Sequence, residues 1–468
     1  MVFSSITFLL FFLPLLVSFY FFVRKEYRNF TLIFFSLLFY FWGESYYLSV
    51  LLLSVAFNFF FGILLDEKKS KLILFLGVFA NLAVIAYFKY YNFFLKNYSI
   101  LSGVNINLTE IHLPIGISFF TFQMVSYLVD VYRGQILPQY KFSRFLLYIS
   151  FFPQLIAGPI VRYIDIRRDL ISTNIGWEDI DIGLKRFILG LSKKVLIANP
   201  MALVADKIFA IPSDDLNTPL AWLAILSYTL QIYYDFSGYS DMAIGLGRLF
   251  GFHFMENFNL PYSASSLQDF WRRWHISLSS WFRDYVYIPL GGNRVSERRI
   301  IGNLLLVFFL TGLWHGASWN FIIWGMMHGF FLLMERYFLN SILQRIPFVI
   351  RNIYTMLVVM IAWVFFRVDG LDAALGVVKL LFSFNFADKV YYPEMYINSL
   401  YLSSLFFGIL FSYPVMQLLN RFFEKIFANK KMPNTHYILN SFAVFFLFIF
   451  SILNLAANTY NPFIYFRF

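Results

Sequence analysis

The chain has 468 residues, of which 60% are hydrophobic and only 13% charged, against about 25% charged in an ordinary soluble domain. That excess excludes a water-soluble protein. The net charge of +11 does not point to nucleic acid, because Lys and Arg sit at the ends of apolar segments, where they set topology. The absence of cysteine excludes disulfides, thiolate metal sites and a thioester carried on this chain.

A spanning helix needs about 20 predominantly apolar residues, and such stretches recur from position 3 to 455, which predicts roughly eleven to thirteen spans or partial spans. Residues 3–23 are apolar for longer than a signal sequence core, and Arg24 and Lys25 follow with no small-residue cleavage site, so this segment reads as a retained first span. The positive-inside rule then puts the N-terminus outside and the loop of Arg24, Lys25 and Arg28 in the cytoplasm. A second span near 31–42, an outer turn at 43–46 and a third span ending near Leu65 lead to DEKKSK (66–71), a basic loop as the alternation requires. A fourth span delivers the polar stretch 96–112 outside, and a fifth (113–131) returns to Arg133, Lys141 and Arg144.

The alternation breaks at FFPQLIAGPIVR (151–162), which has basic residues on both sides and Pro153, Gly158 and Pro159 within it. Freed backbone groups at membrane depth survive only where protein or a water-lined cavity satisfies them. The stretch therefore reads as a re-entrant segment; the competing reading is a kinked spanning helix. Further apolar segments cover 187–204, 220–234, 300–313, 321–334, 353–366, 400–418 and 438–455. With no repeat, linker or soluble domain, the expectation is one membrane domain: N-terminal spans (1–132), a re-entrant and catalytic core (133–340) and C-terminal spans (341–468).

LQDFWRRWHISLSSWFRDYVYIPLGGNR (267–294) differs in kind. Leu267, Phe270, Trp271, Trp274, Leu278, Trp281, Phe282 and Tyr285 recur at steps of three and four, one face of a helix, and its Trp and Arg content suits the membrane interface. Pro289, Gly291 and Gly292 end it in a turn.

Of six histidines, His112, His253 and His436 fall in loop, connecting or interfacial positions. His315, in LTGLWHGASWN (310–320), stands in an apolar context where an ionisable group is costly and tends to face a bundle interior or a water-filled path. Imidazole can accept a proton near neutral pH. The alternative is a core histidine satisfied by a carbonyl or by Asn320. His275 lies on the edge of the apolar stripe, toward protein, although a Trp-flanked interfacial histidine is ordinary. His328, beside Gly325 and Gly329, reads as close helix packing. No HExxH motif or pair of His at ligand spacing suggests a metal, and SGYSDMAIG (237–245) lacks a serine-nucleophile elbow. Asp235 and Asp241 there either line a path or mark the end of a span.

The run from DFWRRWHISLSSWFRDYVYIPLGGNR to TGLWHGASWNFIIWGMMHG resembles the paired signature of the membrane-bound O-acyltransferases, in their bacterial polysaccharide-modifying branch. FFTFQMVSYLVDVYRG (119–134), FPQLIAGPIVR (152–162), YYDFSGYSDMAIGLGRLFGF (233–252), ENFNLPY (256–262) and the terminal NPFIYFRF extend the match in order along the whole chain. The resemblance implies an all-α polytopic fold, a ring of irregular helices with re-entrant segments around a central tunnel. It further implies a multi-pass protein of the bacterial inner membrane, with His315 as the intramembrane catalytic histidine and His275 as the second histidine of the signature.

The implied reaction moves an acetyl group from a cytoplasmic thioester, acetyl-CoA, to a hydroxyl of an extracytoplasmic polysaccharide such as alginate or peptidoglycan, with a separate extracytoplasmic acetyltransferase as partner and no tightly bound cofactor. Trp274, Trp314 and Asn320 are expected to line the tunnel. Other readings are D-alanyl transfer to teichoic acid from a carrier protein, a lipid acyltransferase, and a non-enzymatic transport or polysaccharide-export subunit. The last would call for inverted repeats, which the sequence does not display.

Overall fold

The structure is a computed structural model describing residues 1–109, 111–171, 175–386, 390–415, 417–418, 433–457 and 460–464. Every regular element among them is helical. Five helices are long and apolar enough to cross a membrane: Leu48–Lys68, Lys71–Ser102, Trp177–Phe209, Phe348–Arg367 and Ile438–Ala457. Other expected spans are shorter, as in Phe8–Phe22, Ile117–Tyr132 and Ser399–Phe411. The first of these opens with a π-helical turn, Phe8–Phe12, just before Pro14, which has no N–H to return to the preceding turn. Large apolar side chains such as Phe22, Phe60, Phe75, Phe79 and Leu101 stand exposed, as lipid-facing residues do. The chain divides into two compact units, each described by itself: Met1–Phe187 with Met242–Met255, and Ile188–Asp241 with Glu256–Phe468.

The first unit is built on the helix Ile117–Tyr132, buried on every side from residue 117 to 128. Two glycines let the neighbouring spans close on it: a Cβ at Gly62 would lie 2.6 Å from the Tyr127 ring, and one at Gly77 would lie 2.9 Å from Leu128. Between those spans Asn58 and Asn81 exchange amide hydrogen bonds of 3.0 and 2.8 Å, a polar clasp of the kind that holds helices together in hydrocarbon. Residues 151–162 are not a spanning helix. One turn, Phe152–Leu155, gives way to irregular backbone, and every residue from 151 to 161 is buried. At the expected outer turn the buried Glu44 carboxylate bonds His112 Nε2 at 3.0 Å, and Tyr47 stacks on the same imidazole. His253 is half exposed beside Asp169 and Asp179.

The second unit has a large aromatic core in which Trp274, Trp324 and Trp363 are buried together. Asp235 and Asp241 do not mark a helix end, because their helix runs on from Thr218 to Leu249. Each is an ion-pair partner: Asp235 binds Lys194 at 2.7 Å with both side chains almost fully buried, and Asp241 binds Lys193 at 2.6 Å. His436 falls within the helix Pro433–Ala457, but its side chain, like residues 465–468 of the terminal motif, lies outside the described residues.

Candidate active site

The stretch expected to form one interfacial helix is broken. It comprises Leu267–Arg273 and Ile276–Phe282, a π-helical turn at Arg283–Tyr287, and a turn at Gly291 and Gly292. The first piece is capped by Ser266, whose Oγ accepts from Asp269 N, and by Glu335, whose carboxylate accepts from Leu267 N at 2.7 Å and Gln268 N at 3.2 Å. The break falls at His275, whose φ of 44° is left-handed, a conformation costing an L-residue about 1–2 kcal/mol.

Asn257 holds His275 there. Its carbonyl accepts from Ile276 N at 2.9 Å, and its side-chain Oδ1 accepts from Ser277 N at 3.2 Å and Ser277 Oγ at 2.9 Å. A backbone N–H can only donate, so the amide orientation is fixed: Oδ1 faces His275 Nδ1 at 3.2 Å, and Nδ2 donates to Ser240 Oγ at 3.0 Å. Nδ1 therefore carries the ring proton and Nε2 carries the lone pair. His275 is fully buried, its Nε2 has no hydrogen-bond partner among the described residues, and burial holds the ring well below the ordinary imidazole range. The result is a neutral, buried, oriented hydrogen-bond acceptor.

His315 closes the helix Glu297–His315, and the helix Trp319–Met334 follows directly. The two cross at glycine. A Cβ at Gly312 would lie 2.3 Å from the Phe321 carbonyl oxygen, and one at Gly325 would lie 2.2 Å from that of Phe308. This approach sets His315, 4% exposed, edge-on to Trp324 at 4.9 Å and to Phe366 at 5.0 Å between ring centroids.

The structure brings these histidines into one row of rings. Trp314 stands 5.9 Å from His275 and 4.9 Å from His315. Trp324 stands between His315 and His328, 4.9 and 5.0 Å from them. Trp274 stands apart from that row, stacked on Phe270 and tilted against Trp363. Asn320 donates to the carbonyls of Val368 and Gly370 at 2.7 and 3.2 Å, a staple that fixes the start of its helix.

Sequence reasoning missed two residues. Asn257 sat unremarked in ENFNLPY, because a side chain that sets a ring 18 positions away leaves no periodic trace. His328 read only as packing; it is fully buried, and Trp271 Nε1 donates to its Nδ1 at 3.3 Å. Indole is a donor only, so Nε2 carries the proton, and it too lacks a hydrogen-bond partner among the described residues. The one available signal was an ionisable group within an apolar segment.

Helical in all the regular structure among the described residues, apolar over much of its exposed surface and with imidazoles buried in its core, the chain is a multi-pass membrane protein. Residues 74–368 match the membrane-bound O-acyltransferase family, and the chain belongs to it. It is an O-acyltransferase of the bacterial inner membrane. It is 38% identical to the "Probable alginate O-acetylase AlgI" of Azotobacter vinelandii over the full length of both chains. It is also 38% identical to the peptidoglycan O-acetyltransferase of Helicobacter pylori over 82% of this chain and 80% of that one. The teichoic acid D-alanyltransferase of Bacillus subtilis is 32% identical over 48% of this chain and 59% of its own.

Proposed function

We propose that the chain moves an acetyl group from cytoplasmic acetyl-CoA across the membrane toward a hydroxyl of an extracytoplasmic polysaccharide, with a separate extracytoplasmic acetyltransferase completing delivery to the polymer. The observation that carries this reading is the row of buried rings from His275 through Trp314 to His315, joined to full-length similarity with an alginate O-acetylase. His315 acts as general base. It takes the hydroxyl proton as the acceptor oxygen attacks the thioester carbonyl; the new C–O bond forms, the C–S bond breaks, and the proton leaves with the thiol. His275 is a positioning residue on the donor side, its bare Nε2 accepting a hydrogen bond. Trp314 lines the path between the imidazoles, and Trp274 and Asn320 border it. A dry interior limits hydrolysis of the thioester.

The test uses purified full-length protein with labelled acetyl-CoA or, separately, a D-alanyl carrier protein. Wild type should consume acetyl-CoA and not the alanyl donor, and His315→Ala should lose at least about a hundredfold in acetyl transfer, the scale of a lost general base, while inserting normally. Full activity of His315→Ala would overturn its role; preference for the alanyl donor would replace the acetyl reading with D-alanylation. Polymer O-acetylation by the chain alone would remove the partner.

A further inference from the structure

Between the turn at residues 283–287 and the helix Glu297–His315 lies a partly open cavity of 180 Å³. Leu278, Phe282, Leu304 and Val307 form its walls. Trp271 and Phe308 line it as well, and both rings also stand against the buried His328. Few polar groups enter. Thr311 turns its hydroxyl to the Val307 carbonyl of its own helix at 2.8 Å, and Ser279 Oγ is buried with no hydrogen-bond partner among the described residues. Apolar cavities stay dry and take apolar occupants; for a membrane protein the abundant one is a hydrocarbon chain.

The mouth is basic. Arg283, which lines the cavity, is exposed and pairs with Asp284 at 2.7 Å. Tyr287 at the same wall donates to Asn293 Oδ1 at 2.8 Å, and the exposed Arg336 donates to that oxygen at 3.2 Å. Arg294 beside them is exposed as well. Arg283 at the wall and Arg336 on the Tyr287–Asn293 contact, against the Asp284 carboxylate, leave positive charge at the mouth, and basic pockets between membrane helices bind anionic headgroups.

We propose that this cavity holds a segment of one acyl chain of an anionic glycerophospholipid, with the rest of the chain passing out of its open side and the lipid phosphate met by Arg283 and Arg336. None of the lining residues is among those assigned to the donor and acceptor path, and the site does not depend on which acyl group the enzyme transfers.

Full-length protein in detergent is incubated with phosphatidylglycerol or with phosphatidylcholine of the same chains, and retained lipid is counted by native mass spectrometry. Phosphatidylglycerol should be retained about tenfold better, a preference that one or two basic groups confer. Val307→Trp, which fills the cavity from the helix side, should abolish retention, and Arg283→Gln with Arg336→Gln should erase the headgroup preference. Because a Trp at a packed helix position can strain the helix, a second measurement uses the cavity wall directly: brominated-chain phosphatidylglycerol should quench tryptophan fluorescence in wild type, with a clear loss of quenching in Trp271→Phe. Retention unchanged by Val307→Trp, or quenching unchanged in Trp271→Phe, overturns the cavity. Equal retention of the two lipids overturns the anionic headgroup.

Discussion

The amide of Asn257 decides which nitrogen of His275 is available, and this local fact has a pH consequence. In the wild type the ring is held neutral by burial, so acid does not reach it in the working range. Asn257→Asp keeps an acceptor for Ser277 N and Nδ1–H but adds negative charge beside the imidazole, which favours its protonated form. The folded-state pKa of His275 then rises, Nε2 is protonated as pH falls through it, and acetyl transfer should be lost on the acid side at a higher pH than in wild type. A pH profile of the purified variant with labelled donor measures this; an acid limb that does not move removes His275 Nε2 from the reaction. The burial of His315 was legible in the sequence because an ionisable residue in an apolar segment is costly wherever it points. The tautomer of His275 was not, because it follows from a hydrogen bond between residues that only the fold brings together.

Two short helices stand where the apolar stripe of 267–285 predicted one, and the reason lies outside that segment. No Gly or Pro interrupts it before Pro289; the break at His275 is made by Asn257, which takes up the backbone N–H groups of Ile276 and Ser277. Periodicity reports which face is buried, and Leu267, Phe270, Trp274, Leu278 and Trp281 are indeed buried. It does not report whether the axis is continuous. The crossing of Glu297–His315 with Trp319–Met334 is set instead by missing side chains. Gly312→Ala and Gly325→Ala would each drive a methyl group against a backbone carbonyl, which cannot yield as a flexible side chain does. Each should destabilise the protein by roughly 1–3 kcal/mol and reduce transfer by shifting His315 away from its neighbours. Gly302→Ala on the same helix meets nothing within 4 Å and should be neutral or stabilising by up to about 1 kcal/mol. Thermal unfolding in detergent, run on all three with the transfer assay, separates these outcomes; a Gly312 variant as stable and active as the Gly302 variant would refute the tight crossing.

At the scale of the whole molecule, composition and loop charge announced an all-helical multi-pass protein. The irregularity of 151–162 was legible from its prolines and glycine. Less legible were the long-range polar contacts that hold segments together, because neither partner lies in a motif whose spacing encodes the other. The Lys194–Asp235 pair is the clearest case. Lys194 Nζ also donates to the Pro462 carbonyl, and Asp235 Oδ2 accepts from Ile464 N at 2.8 Å, so one buried ion pair anchors the C-terminal residues 462–464 within the second unit. Removing a single partner leaves an uncompensated charge in a dry interior, a loss of about 3–5 kcal/mol, whereas removing both charges forfeits mainly the contact of Lys194 with the Pro462 carbonyl. Lys194→Met should therefore lower stability more than Lys194→Met combined with Asp235→Asn, in which the amide oxygen can still accept from Ile464 N. Unfolding measured in the same detergent gives the order of the two variants. If the double replacement proves the less stable, an unpaired Asp235 carboxylate carries no penalty at this site, and the loss in Lys194→Met is not that of an orphaned charge.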